Sequence, residues 1–247
     1  EEAASQGLIA GINAHLSIHE QAPFILKRSE AYIGVLIDDL INKGTLEPYR
    51  MFTSRAEHRI LLRQDNADLR LTPLVHTIGM MGLEERMERV NQKNHGIQQI
   101  ENLLSTLNAD PEQINPYLEA IGNSPVTQKT KVGLILSRPG IGIQDIIPYL
   151  PALAEHLATF DEETISLAEV NIKYRGYIER EQDMVDKMNR LEELTLHESL
   201  DYSKISSLSI ESREKLMRLR PRTLGQASRI SGVSPSDISV LLVHIGR

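Results

Sequence analysis

The chain contains no cysteine, which excludes disulfide bridges, thiolate-held metals and cysteine nucleophiles. Aromatic residues are scarce, with three phenylalanines and seven tyrosines among 247 residues. At that density an aromatic side chain is more readily explained as a core anchor than as a base-stacking platform. Long apolar runs are also missing. No stretch approaches the roughly 20 residues that span a bilayer, and no export signal is visible, so the chain is expected in the cytoplasm and away from membranes. With 40% hydrophobic and 25% charged residues, it has the composition of an ordinary folded protein, long enough for one large or two smaller cores.

Against a formal net charge of -7, residues 47–72 (EPYRMFTSRAEHRILLRQDNADLRLT) form a cationic island holding Arg50, Arg55, Arg59, Arg63 and Arg70. Ser54 and Glu57 have the spacing of a capping box, which predicts a helix starting there with Arg55, Arg59 and Arg63 along one side at i, i+4 and i+8. Ile60, Leu61 and Leu62 would supply its apolar face. Asp65-Asn66-Ala67-Asp68 would then start a second helix through Leu69, Leu71, Leu74 and Val75. Such an arginine row suits phosphate, because each planar guanidinium donates two parallel hydrogen bonds to an oxyanion and keeps its charge. The same stretch equally allows an internal salt-bridge network through Glu57, Asp65 and Asp68. Tyr49, Met51 and Phe52 could stack on a base or anchor the core.

Elsewhere the apolar periodicity is helical. Residues 1–15 place Leu8, Ile9, Ile12 and Leu16 on one face. Another face carries Ala3, Ala4, Gly7, Ala10 and Gly11, small enough for a sheet or ligand to come close, and the helix N-terminus favours an anionic group. His15 and His19 have a metal-compatible spacing but lack a third ligand nearby. Residues 28–42 form an amphipathic helix on Tyr32, Val35, Leu36 and Leu40, with Lys43-Gly44 as a stop. A long helix over 83–107 (Leu83, Met87, Val90, Ile97, Leu104, Leu107) is expected to pair with another over 162–194 (Leu167, Val170, Tyr174, Tyr177, Met184, Met188, Leu191). Between them lie short helices and turns, punctuated by Pro111, Pro116, Gly122 and Pro125, then segments 129–137 and 143–157. Gly176, within KYRGYIERE, costs a helix about 1 kcal/mol relative to alanine, which implies close approach by a ligand or by a packed helix. The tail from 213 carries seven cations against Glu214 and Asp237, a local net of +5 that leaves -12 for the rest. Three short helices are expected there, at 209–219, 223–230 and 234–244, the last opening on Ser234-Pro235. These could be read as a DNA-binding helix-turn-helix, the basis of an alternative assignment as a non-enzymatic nucleic-acid-binding or adaptor protein. The would-be recognition helix, however, carries an aspartate and no arginine in its first turns.

Residues 47–72 resemble the signature segment of the MnmG (GidA) family, flavoproteins that modify the wobble uridine of tRNA. EEAASQGLIAGINA resembles that family's last flavin-contacting helix, and LGQASRISGVSPSDISVLLVHI its C-terminal signature, with KYRGYIERE between them in the family's order. The resemblance implies a mainly α fold: a helical domain with two long packed helices, a small C-terminal three-helix module, and an N-terminal helix that is the remnant of an α/β FAD-binding domain. The implied divisions are 1–20, 21–205 and 206–247. It further implies FAD, with Gln6, Glu1, Glu2 and Gly7 at its edge. For the whole enzyme it implies NADH and methylenetetrahydrofolate, tRNA as substrate, the GTPase MnmE as partner, and a homodimer. Arg50, Arg55, Arg59, Arg63, Arg70, Lys173, Arg175, Arg220 and Arg222 are the implied tRNA contacts. No general acid or base follows, His58 included. The missing initial methionine and missing Gly-rich dinucleotide fingerprint lead us to expect a C-terminal portion of a longer enzyme, itself not catalytic.

Overall fold

The computed structural model describes residues 1–43, 49–80 and 82–246, with the backbone alone for residues 43 and 55. The expected stop at Lys43-Gly44 therefore lies outside the described residues. In chain order the helices are α1 (Glu2–Ile18), α2 (Tyr32–Lys43), α3 (Ala67–Thr77), α4 (Glu84–Thr106), α5 (Pro111–Ala120), α6 (Val132–Leu136), α7 (Ile143–Ile146), α8 (Pro151–Leu157), α9 (Glu162–Glu193), α10 (Ile210–Leu219), α11 (Leu224–Ser228) and α12 (Pro235–His244). A two-residue antiparallel pair, β1 (Asn108–Ala109) and β2 (Thr130–Lys131), sets Asn108 opposite Lys131. The mainly α fold expected from the sequence is the one observed. The chain forms two compact units, one of residues 63–179 and one built from both ends, 1–62 and 180–247.

In the 63–179 unit, Ile97, Ile100 and Leu104 of α4 share one core with Ile165, Leu167, Ala168 and Ile172 of α9. Each fully buried aliphatic side chain contributes roughly 1.5–3 kcal/mol. The expected pairing of the long helices is also made by polar contacts: Lys93 donates to Glu163 at 2.6 Å and Asn171 to Glu101 at 2.8 Å. A Cβ on Gly96 would lie 3.0 Å from the Thr164 side chain, so glycine lets the segments close. The face of α9 differs from the expected one. Tyr174, Tyr177 and Met184 are 47%, 63% and 49% exposed. The buried residues Ile165, Ala168 and Ile172 set the inward stripe, and Tyr174, nine residues from Ile165, is two and a half turns on and points the opposite way.

In the unit of both ends, α1 packs on α2, with Leu16, Ala31, Val35, Leu36 and Leu62 buried. The C-terminal helices enclose Leu196, Tyr202, Leu216, Leu224, Ile230 and Leu241. Their starts follow local chemistry. Ser209, Thr223 and Ser234 side chains accept from the amides of Ser212, Gln226 and Asp237, each cap contributing about 1 kcal/mol. The Asp237 carboxylate accepts from Ser234 N at 2.9 Å and also from Ser209 N at 2.9 Å, tying α12 to the start of α10.

Candidate functional site

Helix α2 carries Asp38 and Asp39 in an otherwise apolar stretch, and buried carboxylates demand compensation. Arg28, 7% exposed, supplies it, donating from Nη1 to Asp38 at 2.7 Å and to Asp39 at 2.8 Å. Its Nε donates to Glu57 at 2.8 Å, and its Nη2 also pairs with Glu57. Burial pulls the Arg28 guanidinium toward neutrality, but Glu57 and Asp39 outweigh it and hold the charge more firmly than usual. Arg229 grips both oxygens of Asp38, at 2.9 and 3.0 Å, and pairs with Glu192, whose other oxygen accepts from the Thr223 hydroxyl at 2.6 Å. Sequence reasoning missed this network. Its one local signal is the Asp38-Asp39 pair within VLIDDLIN. Beside it lies a cavity of about 490 Å³, walled by Ile37, Ile41, Met188 and Pro221 and edged by Arg222 and Arg229.

The network explains a correction in the arginine-rich segment. The helix expected from Ser54 does not form: Thr53–Arg55 is a single 3-10 turn without a side-chain cap. Glu57 is taken by Arg28 instead of closing a capping box. His58 then turns into the left-handed region at φ 51°, its carbonyl accepting from Leu61 N and Leu62 N and its Nδ1 lying 2.5 Å from Glu181. With that reversal, Arg55, Arg59 and Arg63 do not form an i, i+4, i+8 row. The second helix does form, as α3.

The named cations separate into two sets. Arg50, Arg59, Arg175 and Arg222 are exposed, and none of the ion pairs among the described residues involves them. The others are engaged within the chain. Arg63 donates to Asp65 at 3.0 Å, and its carbonyl accepts from Arg70, whose Nε donates to Asn66 at 2.9 Å. Lys173 pairs with Glu169 at 2.5 Å. Arg220, left-handed at φ 46°, donates to the carbonyls of Glu198 and Leu200 and lies over the Tyr202 ring. The Arg55 side chain is outside the described residues.

At the start of α1, Glu1 and Gly7 are exposed, and Glu2 and Gln6 half-buried. Its own backbone amide and that of Met51 hold the Glu2 carboxyl below the usual carboxylate range. A Cβ on Gly7 or Gly11 would meet nothing within 4 Å, so that face is open.

Comparison with known proteins gives this architecture a class. Residues 84–182 match the tRNA modifying enzyme MnmG/GidA C-terminal helical domain, and residues 184–247 the MnmG/GidA C-terminal helical bundle. The class is thus the helical C-terminal part of a tRNA-modifying enzyme. Over its full length the chain is 52% identical to the tRNA uridine 5-carboxymethylaminomethyl modification enzyme MnmG of Christiangramia forsetii and 50% identical to that of Cytophaga hutchinsonii. It spans 40% of the length of each. GidA of Aquifex aeolicus superposes with a TM-score of 0.78 at 36% identity, covering 100% of this chain and 38% of that one. The chain belongs to the MnmG/GidA family.

Proposed function

We propose that this chain is the tRNA-docking and partner-binding part of an FAD-dependent enzyme. With the GTPase MnmE, that enzyme adds a carboxymethylaminomethyl or aminomethyl group to the wobble uridine of tRNA. The observation that carries this reading is identity of about 50% along the whole chain to curated tRNA uridine 5-carboxymethylaminomethyl modification enzymes. On this reading residues 1–20 complete a flavin domain, 21–205 dock tRNA, and 206–247 bind the partner and add to the tRNA surface. NADH, a methylenetetrahydrofolate-derived carbon, homodimerisation and the cytoplasmic setting belong to the whole enzyme.

The docking role falls first to Arg50, Arg59, Arg175 and Arg222, whose guanidiniums are available to phosphate. Arg63, Arg70, Lys173 and Arg220 are held by partners within the chain and fall second. The open small-residue face of α1 and its first-turn amides fit the edge of a dinucleotide. Gln6, Gly7 and the first two glutamates would hold that edge, and FAD when bound supplies the redox chemistry. The DNA-reading alternative gains nothing from the tail, because Asp237 is buried, capping α12 and holding Ser209.

The test is binding of this chain to unmodified tRNA at about 50 and 200 mM salt, with Arg50→Ala/Arg59→Ala alongside. Removing one phosphate-binding arginine should lower the salt slope by roughly 0.7–0.9. We expect affinity to fall steeply with salt, and the double variant to bind at least tenfold more weakly with an unchanged melting temperature. Absence of tRNA binding, or preference for duplex DNA in competition, would overturn the reading.

A further inference from the structure

We propose that the cavity between α2, α9 and the α10–α11 connection binds an amphipathic monoanion, a small molecule with an apolar body and one terminal carboxylate. This site is independent of the tRNA reading and stands or falls separately from it.

The cavity measures about 490 Å³ and lies wholly within the unit built from both ends of the chain. Small-molecule sites commonly fall between about 300 and 1,000 Å³. Segments far apart in sequence line it: the residues before α2, one side of α2, the end of α9, residues 219–222 and α11. Leu26, Ile37, Ile41, Met188, Leu219 and Pro221 make its walls largely apolar. Ile41 is 69% exposed and Leu219 38%, so an occupant with an apolar body would remove hydrocarbon from water. The unbranched thioether of Met188 lets that wall adapt to the shape of the body.

Charge selects the head group. Two carboxylates line the cavity, Asp38 and Glu192, and both are already satisfied. Asp38 accepts from Arg28, Arg229 and Asn42, while Glu192 pairs with Arg229 and accepts from the Thr223 hydroxyl. Neither is left to attract a cation. The same contacts consume Arg28 and Arg229, and Arg220 donates to the carbonyls of Glu198 and Leu200. Lys27 and Arg222 remain. Both line the cavity, both are exposed, and neither joins an ion pair among the described residues. The Arg222 amide donates to Gln226 Oε1 at 2.8 Å, which leaves the nitrogen of that side-chain amide to serve as a further donor at the cavity wall. Apolar walls with two uncompensated cations at their edge fit one anionic group on an apolar body, held by a charge-assisted hydrogen bond. A polyanion would call for a longer row of cations and would leave the apolar walls uncovered.

The experiment titrates decanoate into this chain by isothermal calorimetry, with decanol, acetate and inorganic phosphate as comparators. Methyl resonances of Ile37 and Met188 report the location. The variants are Lys27→Gln/Arg222→Gln and Ile41→Glu, all at exposed or rim positions, so both proteins should melt with the parent. We expect one decanoate per chain, with shifts at both methyls and affinity at least about tenfold above that for decanol or acetate, the difference that one charge-assisted hydrogen bond supplies. The glutamine pair should weaken decanoate about tenfold or more and leave decanol within about twofold. Ile41→Glu, which sets a carboxylate on the wall, should weaken decanoate by a similar factor. Equal affinity for decanoate and decanol, acetate or phosphate binding as tightly as decanoate, or parent-like binding by both variants would overturn the site. Absence of decanoate binding to the parent up to about 1 mM would overturn it as well. None of these outcomes bears on the tRNA reading, which Arg50→Ala/Arg59→Ala tests.

Discussion

Replacing Arg229 with methionine asks how firmly α11 and the segment after it are tied to α2. Arg229 is 15% exposed and grips both oxygens of Asp38, itself 18% exposed, while its Nη1 pairs with Glu192. Breaking a buried ion pair costs about 3–5 kcal/mol when the surviving charge is left alone. Neither carboxylate is left alone here. Asp38 keeps Arg28 at 2.7 Å and Asn42 at 2.9 Å, and Glu192 keeps the Thr223 hydroxyl at 2.6 Å. The expected loss is therefore below that range, about 2 kcal/mol. Methionine preserves much of the aliphatic stem, so the loss reports on the guanidinium. Urea unfolding followed by circular dichroism, together with amide exchange at Val35 and Leu36 in α2, should register it. A double-mutant cycle with Asp38→Asn should give a coupling of about 1–2 kcal/mol. Because the pair is largely shielded from solvent, the coupling should change little between low and moderate salt. Additivity of the two substitutions within about 0.5 kcal/mol would refute the reasoning.

Asp237 gives a pH signature. Burial works against its charge, but amide and hydroxyl donors from Ser209 and Ser234 prevail and hold its carboxyl below the usual carboxylate range. A depressed folded value means that its stabilisation is complete above about pH 3.9 and is lost as pH falls through the lower folded value. Thermal melts of the parent should therefore fall off more steeply below about pH 4 than those of Asp237→Asn, which should itself cost about 1 kcal/mol at neutral pH. Two glycines should respond in opposite ways. Gly176→Ala, into open space, should stabilise by up to about 1 kcal/mol and raise the melting temperature by roughly 2–4 °C. Gly34→Ala would place a Cβ 2.4 Å from the Lys27 carbonyl oxygen and 2.6 Å from that of Leu26, an overpacked approach to backbone that should cost about 1–3 kcal/mol; differential scanning calorimetry distinguishes the two.

What the sequence reveals and conceals follows from the range of each interaction. The long helices α4 and α9, the short helices starting near 209 and 223, and the start at Ser234-Pro235 were legible because periodicity and capping act within one or two turns. The ion-pair network was not, since Arg229 and Asp38 lie 191 residues apart. That distant demand also undid a local rule. Ser54 and Glu57 have capping-box spacing, yet Glu57 sits 2.8 Å from Arg28 Nε, and a charge-assisted bond to a buried guanidinium outweighs a cap worth about 1 kcal/mol. The outward turn of Tyr174 and Tyr177 was hidden for a related reason. A three-four pattern of apolar residues fits more than one stripe of a helix, and only Ile165, Ala168 and Ile172 finding the core selected between them.

The cations follow the same logic. Composition marks residues 47–72 and the tail as basic, but a guanidinium already satisfied by carbonyls or carboxylates must break those bonds to take a phosphate, while an exposed, unpaired one gives up only water. Arg220 on two carbonyls and Arg63 on Asp65 belong to the first kind, and Arg59 and Arg175 to the second. At equal formal charge the second kind should therefore dominate the salt-dependent part of RNA affinity, and the first should register mainly in stability.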